Sequence, residues 1–190
     1  MDETSRGVMR FVLPLALFIV GGLAGWFGHS LASTPPNVPS IAMYQDWRLM
    51  CPSPSNATAS CAMVQDVVDA QRGAEIAHLA LGKTKTGLEM IVTMPYDVLL
   101  APGMGISVGR DAVRVYPYQT CNGVGCIATI PVDDKLLASL RSADQARILF
   151  AMLNNKPIGL PFSLKGFDEA NDAFSNNEAR RSSWWGRLWS

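Results

Sequence analysis

Residues 51–68 read CPSPSNATASCAMVQDVV, and this stretch decides the fold. A polar loop rich in proline, serine and alanine separates Cys51 from Cys61, and an apolar run follows the second cysteine. A second close pair, Cys121 and Cys126, encloses the short turn NGVG. An even set of cysteines behind an apolar N-terminal segment indicates disulfides in an oxidising compartment. We therefore predict two local disulfides, 51–61 and 121–126, each closing the end of a strand.

Zinc and redox chemistry are the alternatives for the four cysteines. A four-cysteine zinc site has short spacings in both halves, and only the pair Cys121 and Cys126 fits them. A thioredoxin-type pair has two residues between its cysteines at the start of a helix, and no such pair occurs. We expect structural disulfides and no metal.

In the rest of the domain, short apolar runs are separated by glycine, proline, aspartate or asparagine. This pattern is typical of strands joined by turns. The runs cover residues 44–51, 61–68, 74–81, 88–94, 106–108, 113–120, 126–131, 147–153 and 158–164. Turn residues at 83–87 and 109–111 predict hairpins, so neighbouring strands should be antiparallel. The sequence predicts a mostly β fold, an antiparallel sandwich or partly closed barrel of about eight or nine strands.

Two short helices should interrupt the strands. Asp133 or Asp134 is placed to cap a helix over residues 135–140. The second should cover about residues 168–181, because acids lie at its start and arginines at its end, as the helix dipole favours.

An uncharged segment, residues 11–28, follows Arg6 and Arg10. As a helix it reaches about 27 Å, close to the roughly 30 Å hydrocarbon core of a bilayer. The positive-inside rule keeps the arginines in the cytoplasm. We expect residues 1–30 to be a cytoplasmic tip and single-pass transmembrane anchor of the bacterial inner membrane. The alternative is a signal peptide cleaved at Ala32, which would release a soluble periplasmic or secreted protein.

The rest of the chain divides into three parts. Residues 31–40 form a proline-rich linker, and residues 41–178 form one periplasmic domain with 11 basic against 14 acidic residues. This acidic balance excludes a nucleic-acid-binding domain. Residues 179–190 form a tail rich in tryptophan and arginine, a composition that favours lipid surfaces and protein interfaces.

Two sets of residues are candidates for membrane or partner contacts. Small residues on one face of the N-terminal segment would allow another helix, including that of a second copy, to approach closely. These residues are Gly21, Ala24, Gly25 and Gly28. The contact residues expected in the tail are Arg180, Arg181, Trp184, Trp185, Arg187 and Trp189.

No catalytic constellation follows from the sequence. His29 and His78 have no nucleophile motif around them, and we interpret His78 as a packed or edge-strand residue. Asp66 and Asp69 have the chemistry of a cation site or an acid–base pair, but a solvated strand end explains them. We expect no enzyme activity and no cofactor.

The domain resembles the invasion-associated locus B family of alphaproteobacterial exported proteins. The resemblance covers residues 44–167 and rests on short motifs. These are Trp47 with Cys51, CAMVQ at 61–65, LLAPGMG at 99–105, Cys121 with Gly125 and Cys126, and FSLKGF at 162–167. The resemblance implies a periplasmic or envelope protein without established enzymatic activity, and the family's four cysteines match the two pairs here.

From these observations we expect a non-catalytic, membrane-anchored periplasmic accessory protein. It would bind or stabilise an inner-membrane protein or complex as an accessory subunit, and its ends would contact the lipid surface. The alternative is an exported envelope factor with a role in host-cell invasion or adhesion.

Overall fold

The computed structural model describes residues 18–23, 25, 38–53, 56, 59–68 and 73–183. Within these residues the chain forms eleven strands and two helices outside the N-terminal segment. The strands are β1 Ser40–Tyr44, β2 Trp47–Cys51, β3 Ala62–Val68, β4 Glu75–Lys83, β5 Leu88–Met94, β6 Met104–Val108, β7 Arg114–Tyr116, β8 Tyr118–Asn122, β9 Gly125–Pro131, β10 Gln145–Ala151 and β11 Pro157–Ser163. The helices are α1 Asp134–Ser142 and α2 Phe167–Ser182.

The strands form two open sheets in which every neighbouring pair is antiparallel. The larger sheet has the order β1-β2-β3-β4-β5-β9-β8 and the smaller one β11-β10-β6-β7. Buried side chains from both sheets and both helices form one hydrophobic cluster. The mostly β, sandwich-type prediction is therefore confirmed.

Buried and partly buried side chains alternate along the strands, and this alternation explains why one face of the larger sheet is buried. In β4, Ala77, Leu79 and Leu81 are buried, whereas His78 and Ala80 between them are only partly buried. Successive side chains of a strand point to opposite faces, so one register directs all three apolar residues into the core.

The two sheets are joined by polar contacts around Ser163. Trp47 is fully buried, packs edge-to-face on Phe167 with ring centroids 5.1 Å apart, and its Nε1 donates to the Ser163 carbonyl at 3.1 Å. Gln65 Nε2 donates to the same carbonyl at 3.1 Å. Gly166 has φ 79°, and a Cβ there would lie 2.1 Å from the Tyr44 carbonyl oxygen. Only glycine therefore allows this close approach.

The structure has more strands than the eight or nine predicted. The run at 44–51 is divided by a turn at Gln45, whose φ is 52°, and the run at 113–120 is divided at Pro117. The two helices occur where they were predicted, and Asp133 is the N-cap of α1. The boundary predicted after residue 178 falls inside α2, so the folded domain extends from Ser40 to Ser182.

The N-terminal segment is described only in part. Residues 18–23 and 25 are helical, and the remainder of the predicted anchor lies outside the described residues. Within the part of the chain that the structure describes, no helix has the length and apolar character needed to cross a membrane.

Candidate interaction site

The outer face of the larger sheet, which points away from the hydrophobic core, carries exposed apolar side chains. Strand pairing places Ile41 opposite Met50 and Ala80 opposite Ile91. Ile41 and Met43 are each 63 % exposed, and Met50 and Ile91 are also exposed. We call these four residues, Ile41, Met43, Met50 and Ile91, the apolar strip.

Small residues lie in the middle of this face. Ala62 pairs with Met50 on one side and with Gly82 on the other, and Ala80 lies beside Val64. Strand pairing gives two rows across β1 to β5 on this face: Ile41, Met50, Ala62, Gly82 and Glu89 in one, and Met43, Arg48, Val64, Ala80 and Ile91 in the other. Exposed apolar side chains grouped on one face in this way mark candidate interaction sites.

A charged network meets the strip on the same face: Asp66 and His78 lie in the neighbouring row, and Arg48 lies between Met43 and Val64. Arg48 donates to Asp66 Oδ2, and His78 Nδ1 lies 2.7 Å from Asp66 Oδ1. Partial burial raises the pKa of Asp66, but the bonds from His78 and Arg48 outweigh it and hold that pKa below its ordinary value. Asp66 is therefore ionised at neutral pH and links β2, β3 and β4.

Three side chains of the kind that hold metal ions lie close together at this network. Ligand atoms of Asp66, Glu75 and His78 lie within 4.8 Å of one another. However, both carboxylate oxygens of Asp66 are already bonded, one of them to the cation of Arg48. An ion placed there would lie beside a guanidinium and would break the bond to His78. The geometry favours an ion-pair network over a metal centre.

The sequence interpretation of these residues needs correction. Asp66 lies within β3 and bonds to two neighbouring strands, so it is not a solvated strand end. Of the two interpretations of His78, packed or edge-strand, the second is wrong, because His78 is partly buried on β4, which lies between β3 and β5. Asp69 lies outside the described residues.

Both predicted disulfides are present. Cys51 is bonded to Cys61, and Cys121 to Cys126. The second pair joins directly opposite residues of β8 and β9. As predicted, each bond closes the end of a strand.

Helix α2 holds the loop between Cys51 and Cys61, a contact that the sequence did not predict. Arg181 donates to the carbonyls of Pro52, Asn56 and Ala59 at 3.2, 2.6 and 2.9 Å. Glu178 Oε1 accepts the backbone N–H of Cys61 at 2.8 Å. Arg181 was predicted to contact membrane or partner in the tail, but in the structure it belongs to the folded domain.

The other predicted contact residues are described only in part. A Cβ added at Gly21 or Gly25 would meet no atom within 4 Å. Arg180 is exposed at the end of α2. Six residues lie outside the described part of the chain: Ala24, Gly28, Trp184, Trp185, Arg187 and Trp189.

Comparison with known proteins agrees with this fold. The family model described as "Invasion associated locus B (IalB) protein" matches residues 47–175. Invasion protein B homologues of Brucella abortus strain 2308 and of biovar 1 strain 9-941 are each 33% identical over 135 residues, which is 68% of this chain and 75% of the relative. The crystal structure of invasion associated protein b from Bartonella henselae has a TM-score of 0.65 at 21% identity, covering 74% of this chain and 99% of that one.

The matched region contains both disulfides, β2 to β11 and the first half of α2. Disulfides of this kind and the family indicate an exported, periplasmic protein. On the extent of these matches, the chain belongs to the invasion associated locus B family.

Proposed function

We propose that this protein is an exported envelope factor that supports contact with, or entry into, a host cell by binding another protein. The proposal assigns it no catalysis, cofactor or nucleic-acid ligand. The apolar strip is the observation that carries it, because four exposed apolar side chains grouped on one face of a sheet are typical of an interaction site. The names of the Brucella and Bartonella relatives support the connection to invasion.

The strip has the composition of a protein-binding surface. Methionine adapts its shape to different partners, and isoleucine supplies rigid apolar area. The Arg48–Asp66–His78 network supplies a polar border, which is the usual arrangement around an apolar interface centre.

The test is a host-cell entry assay with a bacterial strain that lacks the gene and carries it back in different versions. We expect Met50→Lys/Ile91→Lys to reduce entry about tenfold, because two buried ammonium groups would oppose docking. Leu153→Lys is the matched control, since Leu153 is 63% exposed but lies in a turn outside the strip.

Immunoblots of periplasmic and external fractions must show equal amounts of every variant. Wild-type entry by the Met50→Lys/Ile91→Lys strain would contradict a role for the strip. Wild-type entry by the strain that lacks the gene would contradict the invasion role itself.

A membrane-anchored accessory protein is the second candidate. It is favoured by the helical residues Phe18, Ile19, Val20 and Leu23, whose apolar side chains are exposed. In this proposal the helix stays in the inner membrane, and the domain binds a membrane protein or complex next to the lipid surface.

Intact mass measurement of the chain from membrane and soluble fractions distinguishes the two candidates. An uncut chain that copurifies with one inner-membrane protein in mild detergent would support the anchored accessory protein. A chain beginning after Ala32 in the soluble fraction would exclude it.

A further inference from the structure

Strand β1 is an open edge of the larger sheet. In the part of the chain that the structure describes, no strand pairs with the side of β1 that faces away from β2. Hydrogen-bonding groups alternate along an antiparallel ladder, so every second residue of β1 directs its N–H and C=O to this free side. Such an edge is a template for one kind of partner, an extended strand.

The other edge strands of the described sheets carry features that oppose strand addition. On β11, Ser163 turns its carbonyl away from β10 towards Trp47 and Gln65. Pro157 and Pro161 are in phase with Ser163, so the same free side lacks two N–H donors. These prolines protect the edge of the smaller sheet.

The two remaining edges are protected differently. β7 has only three residues and is followed by Pro117. β8 has an irregular register between Tyr118 and Thr120, which twists the edge. By contrast, β1 pairs with β2 over five residues without a register shift, and its sequence SIAMY contains no charge and no proline.

We propose that β1 pairs in antiparallel fashion with β1 of a second copy, about a two-fold axis at Ala42, so that the two larger sheets become one. This register pairs all five residues, with Ile41 of each copy opposite Met43 of the other. A shift by one residue would place apolar side chains opposite the wrong face. The proposal does not depend on the role in invasion.

Self-pairing is favoured by the charges and the apolar surface of this edge. Because β1 is uncharged, two copies meet without repulsion, whereas like charges directly opposite each other destabilise a strand pair. Pairing also joins the two apolar strips, so that Ile41 and Met43, each 63 % exposed in one copy, pack beside Met43 and Ile41 of the other. A second copy satisfies both the backbone groups and the side chains of this edge.

The register can be tested by placing charges at positions 41 and 43. In Ile41→Lys/Met43→Lys, each lysine lies opposite a lysine of the second copy, and we expect the dissociation constant of the dimer to rise at least about tenfold. In Ile41→Lys/Met43→Glu, each lysine lies opposite a glutamate, and we expect the dimer to be retained. Sedimentation equilibrium of the full chain in mild detergent over a range of concentrations measures both.

Leu153→Lys is again the control and should leave the dimer unchanged. Circular dichroism checks that each variant is folded, as expected for positions that are already mostly exposed. The proposal is overturned if the wild type is a monomer throughout, if the lysine pair leaves the dimer intact, or if both charged pairs abolish it equally.

Discussion

The carboxylate of Asp66 connects three strands of the larger sheet, because Arg48 on β2 and His78 on β4 both bond to it. It lies at the border of the apolar strip and is only partly exposed. Its contribution to stability therefore exceeds that of an isolated surface ion pair, although solvent still screens it.

We predict that Asp66→Asn lowers the free energy of unfolding by about 1 kcal/mol at pH 7. Because the fold lowers the pKa of Asp66, its carboxylate stabilises the protein above the unfolded-state pKa, and this stabilisation is lost as the pH falls through the folded-state pKa. The difference from wild type should shrink below about pH 4 in urea unfolding curves. Asp97→Asn is the control, since Asp97 is exposed in a turn.

The role of Asp66 could not be read from the sequence. The apolar run correctly placed residues 61–68 in a strand, but it did not show which strands lie on either side. The partners Arg48 and His78 are 18 and 12 residues away, so their contact depends on the register of two ladders. For the same reason, the apolar strip appears only when residues from β1 to β5 are brought together.

At the level of elements, α2 and the loop between the first two cysteines hold each other in place. Arg181 donates to three carbonyls of this loop, those of Pro52, Asn56 and Ala59. A half-buried carbonyl without a donor is costly, so this guanidinium stabilises the described part of the loop.

We predict that Arg181→Ala lowers the free energy of unfolding by about 1–3 kcal/mol, since three carbonyls lose a charged donor. The neighbouring Arg180→Ala should change it by less than about 0.5 kcal/mol, because Arg180 is exposed. Chemical unfolding measures both variants. Equal effects would show that the loop does not depend on Arg181.

The sequence predicted which segments are strands and helices better than it predicted where each one begins and ends. Strand β5 has the predicted ends, Leu88–Met94, and Asp133 was correctly identified as a cap of α1. The turn at Gln45 was missed because a glutamine with positive φ has no sequence signal of the kind that glycine gives. That omission hid β1, the edge strand on which the proposed pairing depends.

For the whole molecule, the two disulfides stabilise a domain that already has a large core. The bond between Cys51 and Cys61 closes a longer loop than the one between Cys121 and Cys126. In the chain-entropy account, a longer closed loop removes more freedom from the unfolded chain.

We predict that Cys51→Ala/Cys61→Ala lowers the free energy of unfolding by about 2–3 kcal/mol, and Cys121→Ala/Cys126→Ala by about 2 kcal/mol. The first variant should suffer more, since it also loosens the loop that Arg181 holds. Urea unfolding of oxidised wild type and both variants gives the values. A larger loss for the second pair would contradict the entropic explanation.

The unequal protection of the sheet edges sets an upper limit on assembly size. A domain with two open edges can add copies at both ends and grow into a fibre. In the part of the chain that the structure describes, prolines on β11, a short β7 and an irregular β8 leave β1 as the edge open to a further strand. The proposed pairing uses that edge, so it would end at a stoichiometry of two.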